Sequence, residues 1–287
     1  MCRLVAYLGS PILTDEIIIK PKNSLVRQSF AAEETDYPVN GDGFGIGWYR
    51  HDIRKEPGIF KSIYPAWNDQ NLLHNASFIQ TNCFFAHVRA ATVGDVSFEN
   101  THPFSFNEYL MMHNGGIQNF DKIKYDLVSM LDEKAFLWIR GQNDTQYILA
   151  LFMTNMRKLG YEGQAIAKEL VNCFNKTYAD IEELKKRNKV NSVSLYNIVI
   201  TDGKRMIATR YSTEPENETR TLYYTDKISC KTCHDGELSI SEPKNNRTAT
   251  LLSSEILTES KDNWKEIPEN HAVFIDEKLD VSLYKMD

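Results

Sequence analysis

The feature that most constrains this chain is a change of hydrophobic period along its length. As far as Met112 the apolar residues form strand-like runs: Leu4–Leu8, Ile59–Ile63, Cys83–Val88 and Tyr109–Met112. From Asp121 the spacing becomes helical, with Ile123, Leu127 and Leu131 recurring at four and Ile148, Leu151, Phe152 and Leu159 sharing one face before Gly160. A third helix is expected over about 162–188. Strands return at Ser192–Ile200 and Lys204–Tyr211, joined through the hairpin signal Asp202-Gly203, and again near 221–225, 249–253, 271–275 and 281–285. The polar stretch 226–248 reads as a long loop. Strands, then helices, then strands with mostly antiparallel connections define an α+β fold. With no repeat, linker or break in composition, residues 2–287 are expected to form a single domain.

Composition narrows the function. Hydrophobic residues make up 42% and charged residues 25%, as in ordinary globular chains, and the net charge of -6 argues against nucleic acid or an anionic membrane as partner. The first apolar run is broken by Gly9, Ser10, Pro11 and the acidic Asp15-Glu16, too early for a signal peptide or a membrane span, so a cytoplasmic protein is expected. Five cysteines, an odd number, do not suggest a disulfide framework.

One of those cysteines stands at position 2, directly before the first strand. Removal of Met1 would leave Cys2 with a thiol and an α-amine on one Cα. Free groups of these kinds titrate at ~8.5 and ~8, so the amine can serve as base to the thiol. Further along, Arg89 ends a strand and is followed by the small residues Ala-Ala-Thr92-Val-Gly94. His113-Asn114-Gly115-Gly116 ends another, setting a side-chain amide beside backbone N–H groups, as an oxyanion hole requires. Asp144 precedes a helix as a candidate N-cap. The alternating glycines 41, 43, 45 and 47 leave one strand face bare for a neighbouring backbone or a ligand. His87 and His113 read as core histidines, and neither has a metal-site partner at a suitable spacing. Cys230-Lys-Thr-Cys233-His234 matches a haem-attachment pattern only formally, and half a zinc site has no second half; an exposed, redox-sensitive cysteine pair is the expected role.

Taken together, Cys2, Arg89-Ala-Ala-Thr92, His113-Asn114-Gly115 and Gly141-Gln-Asn-Asp144-Thr-Gln146 resemble the class II, N-terminal-nucleophile glutamine amidotransferases. Asn40-Gly-Asp-Gly-Phe-Gly, Pro65-Ala-Trp-Asn68, Phe85-Ala-His-Val-Arg-Ala90, Thr101-His-Pro-Phe104 and Met112-His-Asn-Gly-Gly116 are similar to its single-domain branch, which includes the DUG-type glutathione-degradation subunit and the ergothioneine-pathway γ-glutamyl hydrolase. The likeness extends to Trp264-Lys-Glu-Ile-Pro268.

The resemblance implies an αββα four-layer sandwich and an amidohydrolase that cleaves γ-glutamyl amides through a thioester on Cys2. Asn114 and Gly115 would form the oxyanion hole. Arg89 would hold the substrate α-carboxylate, Asp144 its α-ammonium, and Thr92 would lie in the loop above. Neither cofactor nor metal is implied. The expected partner is a small γ-glutamyl molecule whose leaving group faces the loops Ala31–Asn40 and Tyr64–Asn68. The alternatives are a glutaminase subunit supplying ammonia to a separate synthase and a non-catalytic regulatory subunit; a peptidase or synthase would then be the partner chain. Two departures stand out. The family's Ser-Thr-Asp-Ser-Glu is Gln142-Asn-Asp-Thr-Gln146 here, which replaces an acid near the amine pocket by Gln146, and its Asn-Cys-His-Pro is Asn100-Thr-His-Pro.

Overall fold

The structure is a computed structural model that describes residues 2–163, 165–214, 220–232, 237–243 and 248–287. Met1, Cys233 and His234 lie outside the described residues, so the expectations placed on them are not addressed by it. The helices are α1 Asp15–Ile18, α2 Leu25–Ala31, α3 Gln70–Asn75, α4 Asp121–Val128, α5 Glu133–Trp138, α6 Asp144–Lys158 and α7 Ala167–Arg187. The strands are β1 Arg3–Leu13, β2 Phe44–Trp48, β3 Gly58–Ser62, β4 Gln80–Val88, β5 Phe104–Phe106, β6 Tyr109–His113, β7 Gly116–Ile117 and β8 Ser194–Thr201. They continue with β9 Met206–Ser212, β10 Tyr223–Tyr224, β11 Ser229–Thr232, β12 Leu238–Ser241, β13 Ala249–Ser253, β14 Lys265–Glu266, β15 His271–Ile275 and β16 Val281–Lys285.

Two seven-stranded antiparallel sheets result. One runs β14-β10-β13-β1-β4-β2-β3, and the other β16-β15-β9-β8-β6-β5 with β7 paired to β8. Side-chain alternation along each central strand explains why the sheets stack. On β1, Leu4, Ala6 and Leu8 point into a core shared with Leu110, Met112, Val199 and Val273 of the other sheet, whereas Val5 and Tyr7 point outward to Ile17, Leu25 and Leu72 beneath α1–α3. The second sheet repeats the pattern. Ala208 and Val273 face the first sheet, while Ile198, Ile207 and Phe274 pack on α6 and α7. Three cores between four layers make this an αββα sandwich.

Several local expectations are corrected. The stretch 226–248 is not only loop, because β11 and β12 pair across it from Ser229–Ser241 to Thr232–Leu238. Helix α6 is buried from Asp144 through Met156 rather than on one face, since α5 and α7 cover what the sheet leaves open; Leu159 falls beyond its end and is 37% exposed. The bare face of the glycine strand meets backbone and core rather than ligand. A Cβ on Gly45 would lie 2.2 Å from the carbonyl oxygen of His102, and one on Gly47 would lie 2.6 Å from Leu110. Cys230 is half-buried against the outer core of the first sheet, and burial pushes its thiol up to about 12, which does not fit an exposed reactive pair.

Candidate active site

Cys2 sits at the head of β1, one step beyond the register pair Arg3–Val88. Its neighbour Arg3 is buried and anchors it. The Arg3 Nε donates to Glu255 at 3.0 Å, while Nη1 and Nη2 donate to the carbonyls of Cys2 and Glu34 at 3.1 and 2.8 Å. The Cys2 Sγ lies over the first peptide after Arg89, accepting from the Ala90 N–H at 3.3 Å and lying 3.4 Å from the Ala90 oxygen. Asp42 braces that peptide chain. Its carboxylate accepts from the Ala91 N–H at 2.8 Å and its own N–H donates to the Arg89 carbonyl at 2.9 Å. Gly43 follows with φ +110, a conformation that a side chain would resist, and its carbonyl accepts from the Arg89 N–H at 2.8 Å.

Arg89 is buried, and burial lowers its basicity while Cys2, Asp42 and Asp144 partly restore it. Its guanidinium donates to the carbonyls of Val93 and Asp95 at 3.0 Å and of Gly94 at 3.2 Å. The small residues after Arg89 therefore curl the loop onto the guanidinium. Three of its five N–H groups hold that loop, leaving two for a bound carboxylate.

On the second sheet, Asn114 and Gly115 follow β6. The Asn114 N–H donates to the Asn197 carbonyl at 2.9 Å, and its side-chain Oδ1 accepts from Arg220 Nη1 at 3.0 Å. The Asn114 Nδ2 is buried with no partner among the described residues. Gly115 is demanded by close approach: a Cβ there would lie 2.0 Å from the Leu195 oxygen. Asp144 is not the N-cap of α6. Asn143 caps it, its side chain accepting from the Thr145 N–H at 2.8 Å, while the Asp144 carboxylate turns to β7 and accepts from the Ile117 N–H at 2.9 Å.

Gln146 gives both ends of its side-chain amide to backbone. Its Oε1 accepts from the N–H groups of Arg140 and Gly141, both at 3.1 Å, and its Nε2 donates to the Glu99 carbonyl at 2.7 Å. Asn100 does matching work, accepting from Gln142 and Asn143 at 2.7 and 3.0 Å and donating to Asp95 at 3.0 Å. Both residues tie the loop before α6 to the loop held by Arg89.

Beneath the site lie three buried histidines. His113 Nε2 faces the Leu195 carbonyl at 2.9 Å, so it carries the proton and Nδ1 accepts from Thr145 Oγ1 at 3.0 Å. Thr145 in turn accepts from His102 Nε2 at 3.0 Å, and His87 Nε2 donates to the His113 carbonyl at 3.2 Å. All three are neutral: burial lowers each, His87 to about 3.

A cleft of about 860 Å³ opens above these groups, lined by Thr92, Gly115, Ile117, Gln142 and Arg220 and reaching out to Lys124 on α4. Cys2, Arg89, Asn114 and Asp144 are not among its lining residues; it borders the loop 93–95 that Arg89 holds and the Gly115 that follows Asn114. The loops 31–40 and 64–68 are not among the residues that line this cleft. The first instead braces Arg3 through Glu34, and the second carries Trp67 against Phe30. Among the described residues, no group of three or more His, Cys, Asp or Glu could hold a metal ion, and no helix is long and apolar enough to cross a membrane.

The structure thus brings together Cys2, Arg89, Thr92, Asn114, Gly115 and Asp144, although they are spread over more than 140 residues of sequence. Sequence reasoning missed Asp42 and Arg220. Asp42 had a signal, since an acid between Gly41 and Gly43 is placed for a tight backbone contact. Arg220, a lone basic residue in a polar stretch, had none.

Two antiparallel sheets between helical layers, with a cysteine at the head of a central strand, define the class of N-terminal-nucleophile hydrolases. Within it, the chain belongs to the class II glutamine amidotransferases, whose family model matches residues 16–283. It is 32% identical to the probable glutamine amidotransferase DUG3 of Saccharomyces cerevisiae, over 96% of this chain and 82% of that one. It is 24% identical to the gamma-glutamyl-hercynylcysteine sulfoxide hydrolase of Mycolicibacterium smegmatis, over 95% of each. Among solved structures, a glutamine aminotransferase class-II domain protein from Silicibacter pomeroyi superposes with a TM-score of 0.66 over 99% of both chains, at 18% identity, which bears on the fold alone.

Proposed function

We propose that this chain hydrolyses the γ-glutamyl amide bond of a small molecule through a thioester on Cys2. The observation that carries the reading is a buried cation and a buried anion, Arg89 and Asp144, set about Cys2 with no ion pair to either among the described residues. Unpaired buried charge is costly, and a zwitterionic amino-acid head would pair both at once. With its α-carboxylate on Arg89 and its α-ammonium on Asp144, a glutamyl group would extend its side-chain carbonyl towards the thiol.

In the first step the α-amine of Cys2, freed by loss of Met1, takes the thiol proton, and Sγ attacks the carbonyl carbon. Charge collects on the oxygen, which the Asn114 Nδ2 and the Gly115 N–H would receive. Collapse breaks the C–N bond, and the α-ammonium returns its proton to the leaving amine. Water, deprotonated by the same amine, then releases glutamate from the thioester. Thr92 closes the loop above the substrate.

The cleft beside Gly115 and the loop 93–95 is open, which leaves room for a leaving group bulkier than ammonia. The reading treats residues 2–287 as one catalytic domain, because β1 and β13, from opposite ends of the chain, are neighbours in one sheet. A cytoplasmic setting is favoured by Cys83 and Cys173 being free and buried in separate cores. The test compares kcat/KM for glutamine, γ-glutamylcysteine, glutathione and a γ-glutamyl anilide on wild type and Cys2→Ala. The expected result is Cys2-dependent hydrolysis with the larger amides preferred. Glutamine preferred tenfold or more would favour an ammonia-supplying subunit, and activity surviving in Cys2→Ala would move the active site elsewhere.

A further inference from the structure

Resting on that reading of the site, we propose that Arg220 is a positioning residue that locks the Asn114 amide with its NH2 turned to the reacting carbonyl. An asparagine amide is nearly symmetric in shape, and a half-turn about its last bond exchanges donor for acceptor. An oxyanion hole fails if that exchange occurs, since a carbonyl dipole would then oppose the developing negative charge. Here the acceptor end is claimed. Arg220 Nη1 donates to Asn114 Oδ1 at 3.0 Å, and Nδ2 is left buried and without a partner. A flipped amide would set an NH2 against a guanidinium, donor to donor. Arginine stays protonated under any working condition, so this constraint does not relax with pH.

Arg220 is itself held by a closed frame on β8 and β9. Its carbonyl accepts from Asn197 Nδ2 at 3.0 Å and from Arg210 Nε at 2.9 Å. The Asn197 backbone carbonyl accepts from the Asn114 N–H at 2.9 Å. One residue of the second sheet therefore fixes both the backbone of Asn114 and the root of the side chain that orients its amide. Asn197 and Arg210 are direct register partners, so the frame is as rigid as the sheet. The Arg220 Nε, buried and without a partner among the described residues, marks how far this guanidinium has been drawn from solvent to reach Asn114.

The experiment measures hydrolysis of glutamine and of γ-glutamyl anilide by the full chain. Arg220→Met and Arg220→Lys are made in the wild-type background and in Asn114→Ala. Arg220→Met is expected to lower kcat on the order of 10-fold, part of the loss that deleting an oxyanion donor causes, with KM changed less than about twofold. Arg220→Lys keeps a cationic donor but not the planar fork, and should recover part of that loss, leaving kcat about threefold down. In Asn114→Ala, replacing Arg220 by Met should cost less than about twofold more, because the residue acts through the missing amide. A rise in KM with kcat intact would make Arg220 a substrate contact and overturn the proposal, as would losses that multiply in the double variant. If Arg220→Met does not fold, judged by its thermal transition, Arg220→Lys carries the same comparison: a measurable kcat loss with Asn114 present and none in Asn114→Ala. A wild type inactive on both substrates, or activity surviving in Cys2→Ala, would instead sink the site reading itself.

Discussion

At the scale of single residues, the site divides into groups that would bind the substrate and groups that would act only as charge develops. Asn114→Ala removes a donor for the oxyanion, so kcat should fall by ~10²–10³ with little change in KM. Arg89→Ala should raise KM and also loosen the loop 93–95, whose three carbonyls it holds. Steady-state kinetics of the two variants on one γ-glutamyl substrate checks this, and an identical signature in both would defeat the division of roles. A glutamine-like diazo-ketone should label Cys2 and spare Cys83 and Cys230, because burial pushes both of those thiols up to about 12 and keeps them protonated. Peptide mapping of the labelled protein reads this directly.

Among the elements, the glycine strand β2 is where local sequence and tertiary packing meet. Gly45→Ala would force a methyl group to within 2.2 Å of the His102 oxygen, backbone that cannot swing aside as a side chain could. A loss of ~1–3 kcal/mol is expected from overpacking, read as a lower urea midpoint with an unchanged slope. An unchanged midpoint would mean that the strand and the His102 loop do not approach as described. This strand also shows what sequence could tell. Its alternating glycines announced a close approach, but the partner, a loop from the other sheet, is over fifty residues away in the chain. The same holds for the site. Cys2, Arg89, Asn114 and Asp144 were legible because each ends or begins a regular element whose hydrophobic pattern is plain. Arg220 was not, since its meaning comes from β8 and β9 delivering it to Asn114. Short elements were lost for a related reason: α1–α3 and the β11–β12 hairpin are too brief for a period to show, and only their packing on the first sheet makes them regular.

For the whole molecule, the three neutral histidines between the sheets and α6 tie stability to pH. Thr145 bridges His102 and His113, and His87 joins them at the His113 carbonyl; the remaining Nδ1 atoms of His87 and His102 are buried and without a partner among the described residues. In these neutral tautomers the atoms are bare lone pairs, and protonation would make each an unpaired buried donor with a charge, in rings whose centroids lie 4.2 Å apart at a tilt of 30°. All three therefore titrate below the ordinary value of about 6.5 when folded, His87 at about 3, and return to it when unfolded. A folded value below the unfolded one means that the unfolded chain takes up protons first. Stability is then fully present above about pH 6.5 and falls as pH drops from there towards the folded values, by up to ~1.4 kcal/mol per pH unit for each histidine. Urea unfolding at pH 8.5, 7.5 and 5.5 should show midpoints that hold between the first two and drop at the third. Replacing His102 by Phe removes one titrating ring and should shallow that drop even if it lowers the midpoint at every pH. A flat profile from 7.5 to 5.5 would mean that these rings are not held neutral beneath the active site.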